Sequence, residues 1–165
     1  MSTLSYSHLS EVERVQNPAL GATLLCEFGQ TYQKNPSADS AHLLAFFLVL
    51  PICLHRPTLG LAIQTRPSSG LGKFCEKLSE HREELFAVHE RALLLRELTF
   101  SSIGFGVEAG LLNIDYKTGH LRALDKKIPA PPDRVAPLFK GANRLGHWFS
   151  SLDTTEIFSA LKVEA

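Results

Sequence analysis

Between Leu43 and Leu54 the chain runs LLAFFLVLPICL, its most apolar stretch. A bilayer span needs about twenty apolar residues, and this run is shorter and interrupted by Pro51. It reads instead as a buried helix over about 41–54, apolar on nearly every side. Such a helix must be central to a core or sandwiched between partners. Pro51 removes one backbone hydrogen bond and is expected to bend it. Ser40 or Asp39 is placed to cap its start, and Pro57 to open a short helix through Leu61 and Ile63.

The rest of the chain supplies elements to surround it. Asn17 is a good N-cap and Pro18 suits the first helical position. Leu20, Leu24, Leu25, Phe28 and Tyr32 then recur at helical spacing. RPSSG reads as a loop. From Leu71 the pattern is helical again, with Phe74, Leu78, Leu85, Val88 and the run Ala92-Leu93-Leu94-Leu95 as expected core positions and a break expected near Ser79 to Glu83. The two glycines of SSIGFG weaken its continuation past Phe100. LLNIDYKTGHLRAL reads as two strands around Lys117, Thr118 and Gly119, with Leu112, Ile114 and Tyr116 alternating with polar neighbours. IPAPPD is an extended connector. Val135, Leu138, Phe139, Ala142, Leu145 and Phe149 form the stripe of a further helix with Trp148 at its edge. Asp153 and Glu156 form a capping pair for a last one.

The expected fold class is therefore mainly α with a β-hairpin (α+β), in a winged-helix-like helical domain with a helical C-terminal tail. One domain over 1–165 is expected: an N-terminal arm (1–16), a helical core (17–110), the hairpin (111–125) and C-terminal helices (133–165). With 44% apolar and 21% charged residues, a chain of 165 can bury a real core.

Charge and cysteine usage narrow the function. Seventeen basic and seventeen acidic side chains cancel, whereas autonomous nucleic-acid binders ordinarily carry a basic excess. Cys26, Cys53 and Cys75 are far apart in apolar surroundings, without zinc spacing, and read as buried reduced thiols. The N-terminal MSTLSYSHLSEVERV lacks a charged region followed by an apolar run, so no signal peptide is expected. A cytoplasmic location and no membrane follow as expectations.

Catalytic and cofactor motifs fail one by one. There is no GxSxG, Walker loop, HExxH or GxGxxG after a strand. SSGLGK (68–73) lacks the glycine spacing and hydroxyl residue of a phosphate loop. His81 and His89 lie roughly 12 Å apart along a helix, too far for one metal. Glu83 and Glu84 diverge on a helix surface, and Cys75 with His81 lacks an orienting third group. A hydrolase or nuclease built on His81, Glu84 and His89 is thus a poor third reading. No catalytic residue, cofactor or metal site is expected.

Two features remain for binding. Lys117, His120, Arg122, Lys126 and Lys127 cluster on and after the hairpin, opposed by Asp125. Such a cluster is what any exposed turn carries, but it also suits phosphate contacts from a wing or an acidic partner surface. Trp148, Phe149, Ile157 and Phe158 place four large apolar side chains near the chain end, either for the core or for a partner interface.

NPALGATLLCEFGQTYQ, AFFLVLPICLHRPT and GANRLGHWFSSLDTTEIFSAL together resemble the middle component of three-component ABC ATPase systems, over nearly the whole chain. The most specific pieces are Asn17-Pro18 with Tyr32, the FLVLP run ending in His55, and Gly146 with Trp148 before a capped helix. The resemblance implies a Lamassu-type anti-phage and anti-plasmid defence system. It implies as partners a large SMC/Rad50-like ATPase, bound near its heads or coiled-coil necks, and an effector, often a nuclease, held until foreign DNA is sensed. DNA would be met through that complex. It carries over no functional residue. The expected function is a non-catalytic adaptor; the alternative is a free-standing winged-helix DNA-binding regulator.

Overall fold

The computed structural model of the chain describes residues 17–164. The expected N-terminal arm, with the reading that it is no signal peptide, lies outside them. Helix α1 (Pro18–Tyr32) begins where expected: the Asn17 side chain accepts from the Ala19 N–H at 2.9 Å, and Pro18 takes the first turn. Leu24, Leu25 and Phe28 on it are fully buried, while Leu20 and Tyr32 pack at the margin of the core.

The apolar stretch departs from expectation at its start and in its middle. Residues Ala41–His42 form a short strand, β1, instead of the first helical turn. The helical portion that follows is capped by His42, whose Nδ1 accepts from the Leu44 N–H at 3.2 Å, not by Ser40 or Asp39. Two short helices follow, α2 (Leu43–Phe46) and α3 (Val49–Cys53). Pro51 does not bend a continuous helix. Its missing N–H and its ring act on the carbonyl four residues earlier, at Phe47, so the break falls there and the proline sits in the first turn of α3. The expected burial holds, since every residue of α3 is buried.

Helix α4 (Arg56–Gln64) follows, and the RPSSG segment contains a 3-10 turn, Pro67–Ser69. Helices α5 (Gly70–Ser79) and α6 (Arg82–Leu94) are separated at the expected break. Helix α7 (Arg96–Glu108) runs straight through both glycines of SSIGFG. The weakness expected past Phe100 is overridden by packing: a Cβ on Gly106 would lie 2.7 Å from Leu112 Cδ1, and one on Gly21 would collide with the Ser102 hydroxyl. Small residues thus let α7 approach α1 and the sheet closely, and that contact outweighs about 1 kcal/mol of lost helix propensity.

The hairpin consists of β2 (Leu112–Asp115) and β3 (His120–Ala123), and Gly119 takes the positive φ, +72°, that the turn needs. Tyr116 lies in the turn and is 86% exposed, not the third inward residue of a strand. A third strand joins: β1 pairs antiparallel with β3, giving the order β1-β3-β2. The fold is thus mainly helical with a small three-stranded antiparallel sheet.

Helix α8 (Ala136–Phe149) and helix α9 (Thr154–Leu161) close the chain. The capping pair forms as expected: the Glu156 N–H donates to Asp153 Oδ1 at 2.8 Å and the Asp153 N–H to Glu156 Oε2 at 2.9 Å. One hydrophobic cluster reaches from Ala22 on α1 to Leu161 on α9. At its centre Phe28 packs edge-on against Phe46 and Phe149, with ring centroids 5.0 and 5.6 Å away.

Candidate partner interface

The hairpin's pleat sorts its side chains. Leu112, Leu121 and Ala123 face the core, so Asn113, Asp115, His120 and Arg122 stand on the outer face. Register sets Arg122 opposite Asn113, and His120 opposite Asp115 on one side and His42 on the other. The two histidine rings meet edge-on at 5.5 Å, and His120 Nδ1 lies 3.1 Å from Ser40 Oγ. Asp115 accepts from the Lys117 N–H at 2.9 Å. That bond, helped by Thr118 and His120 against some desolvation, holds its carboxyl below the usual range.

Of the expected cluster, Lys117, His120 and Arg122 therefore line one shallow open groove, with Asp115 among them. Lys126 points elsewhere: its ammonium donates to the Ala109 carbonyl at 2.9 Å, tying the strand's exit to the end of α7. Lys127 is exposed on the following connector and does not line the groove. The arrangement offers two or three cationic groups with a carboxylate beside them, enough for an anionic contact and too mixed for a continuous phosphate track.

Three of the four large apolar residues near the chain end do not lie where a partner could reach them. Trp148, Phe149 and Ile157 are 2%, 0% and 1% exposed. Trp148 stacks on Phe74 at 5.4 Å, and its indole N–H donates to the Pro67 carbonyl at 3.0 Å. Only Phe158 is half-buried. The expected partner surface at the chain end is corrected accordingly, because α8 and α9 direct these rings into the chain's own core.

The uncovered apolar surface lies instead on α6 and α7. Phe86, Leu93, Leu94, Phe100, Phe105 and Val107 are the large apolar residues exposed there, Leu94 at 80%. The expected core placement of Leu93 and Leu94 is thereby corrected, and the other four were missed, because the sequence reading counted apolar residues without their phase. On α6, Leu85 and Val88 turn inward while Phe86 and Leu93 fall outside that stripe, and this offset is the signal that could have revealed them.

His81 is exposed at the start of α6, whereas His89 Nδ1 accepts from the Glu164 N–H at 3.3 Å. Cys26, Cys53 and Cys75 are buried free thiols. Burial pushes them up, to about 11 for Cys26 and about 12 for the other two, which keeps them protonated and unreactive at neutral pH. Among the described residues, no group of three or more His, Cys, Asp or Glu is placed to hold a metal ion. Among them also, no single helix is long and apolar enough to cross a membrane.

No curated protein and no solved structure matches the chain. A family model does, over residues 5–165, which agrees with the resemblance read from the three sequence segments. The chain belongs to the family of ABC-three component (ABC-3C) system Middle Component 3.

Proposed function

We propose that this middle component is a non-catalytic adaptor that joins an SMC/Rad50-like ATPase to an effector subunit, a nuclease, in a cytoplasmic anti-phage and anti-plasmid defence complex of the Lamassu type. The observation that carries the reading is the exposed apolar surface of α6 and α7. Single exposed apolar residues are ordinary on a protein surface, but six on two consecutive helices are what an interaction surface presents. A neutral chain with such a surface gains by being covered. DNA enters through the ATPase in this reading, and no cofactor is required of this subunit.

The test is a pull-down of the tagged chain from cells carrying its native operon. The ATPase and the effector are expected to co-purify through a wash of high salt, because burial of apolar surface resists screening. A chain recovered alone and monomeric from those cells overturns the reading.

A second reading, the free-standing winged-helix DNA-binding regulator, draws on the strand order and on the Lys117, His120 and Arg122 groove. Its weakness is the helix that leads into the hairpin, which exposes Glu97 and Glu108 where a DNA-facing helix would carry cations. That reading requires salt-sensitive duplex binding by the isolated chain, weakened by K117E/R122E.

A further inference from the structure

The outer face of the sheet carries binding groups that the fold does not use. Among the described residues, Lys117 and Arg122 enter no ion pair, and neither their cationic ends nor the Asn113 amide makes a hydrogen bond within the chain. All three residues are exposed, and register sets Asn113 and Arg122 side by side on neighbouring strands. Tyr116, next to Lys117 in the turn, is 86% exposed. The carboxylate among them is different. Asp115 accepts from the Lys117 N–H and is stabilised by Thr118, so the turn fixes it in place. Ser40 Oγ and His120 Nδ1 likewise satisfy each other. These groups line one groove of about 760 Å³, within the size range of small-molecule sites. It is open to solvent, so a longer chain can continue past it.

A ligand for this groove has to match all of these groups at once. Two unpaired cations require an anion. The amide and the fixed carboxylate require a partner with both donors and acceptors, and the exposed ring offers a face for stacking. An acidic peptide matches the cations alone, sets a like charge against Asp115 and leaves Tyr116 with nothing to stack on. A duplex needs phosphate contacts along a continuous track and keeps its bases inside its own stack, away from Tyr116. An unpaired nucleotide matches every group. It brings a phosphate for Lys117 and Arg122, a base edge with donors and acceptors for Asn113 and Asp115, and a flat face for Tyr116.

We propose that the outer face of the β1-β3-β2 sheet binds a short segment of single-stranded nucleic acid through Lys117, Arg122, Asn113 and Tyr116. The site uses no residue of α6 or α7, so it goes beyond the adaptor reading and does not rest on it.

Fluorescence anisotropy of the chain with labelled oligo-dT or oligo-rU of about twelve nucleotides tests the proposal. Binding of either strand is expected at low salt, with log affinity falling against log salt at a slope of about 1.4, the value for two neutralised phosphates on a single strand. K117Q/R122Q is expected to flatten that slope and to lower affinity at least about tenfold. Tyr116→Ala is expected to lower it at least about fivefold, whereas Tyr116→Phe keeps it within about twofold, because the ring face and not the hydroxyl makes the contact. These side chains are exposed and unbonded, so circular dichroism and Tm stay unchanged in all of the variants. Absence of binding by both strands, or full affinity in Tyr116→Ala, would overturn the proposal. So would competition by duplex DNA, oligoglutamate or uridine monophosphate as strong as that of the unlabelled strand. Each of these results leaves the adaptor reading intact.

Discussion

His55 joins three elements through a small polar network. Its Nδ1 lies 2.7 Å from Thr58 Oγ1 and 3.5 Å from Glu84 Oε2, and Arg91 donates to Thr58 Oγ1 at 3.0 Å and to the Pro51 carbonyl at 3.1 Å. Burial, then the Arg91 charge, lowers the imidazole pKa from its ordinary value of 6.5, and Glu84 only partly opposes them. The folded state therefore favours neutral His55. The sign follows: its contribution is complete above pH 6.5 and is lost as pH falls from there toward the lowered folded value. Urea midpoints of the wild type are expected to fall over that window more steeply than those of His55→Gln. Equal slopes would remove His55 from the acid response. Sequence marked His55 as the end of an apolar run; its partners became visible only in three dimensions, because Glu84 and Arg91 belong to α6.

At the scale of elements, helix capping was legible because its determinants are local. Asn17 with Pro18, and Asp153 with Glu156, each act within four residues of chain. Helix-to-helix approach is not local. A Cβ added to Gly146 would stand 2.5 Å from the Phe28 carbonyl oxygen and 3.0 Å from Thr31 Cβ. These atoms belong to the packed face of α1, so neither can move away cheaply. Gly146→Ala is expected to cost about 1–3 kcal/mol as α8 is pushed off α1, measured as a shift in denaturant midpoint at constant m-value. An unchanged midpoint would show that the two helices are not locked at this position. The same logic explains α7 at Gly106, which looked like a helix ending until the Leu112 side chain packed against it was known. Strand β1 was illegible for the opposite reason: two residues carry no period, and its partner β3 is distant in sequence.

For the whole molecule the question is where apolar surface ends up. Exposed apolar residues stand on α6 and α7, while most of the tail offered as a partner surface is consumed by the core. Truncating each kind of site separates them. Trp148→Ala is expected to cost about 3–5 kcal/mol, as a large buried ring is lost. Leu94→Ala should stay within about 0.5 kcal/mol, since nothing of the chain packs around it. Thermal unfolding of the isolated chain measures both. A large loss for Leu94→Ala would mean that this face is already covered by the chain itself.

The sequence by itself determined most of the helical segments, the caps of α1 and α9, the hairpin and its turn glycine, the burial of 49–53, and the family, because each rests on local spacing or on motif order. Only the tertiary structure decided which aromatic residues face inward, which cations share a groove, and that α6 and α7 keep an apolar face in water. The physical reason is that a residue's period gives its direction about its own helix axis, whereas burial depends on what arrives from the rest of the chain to cover it.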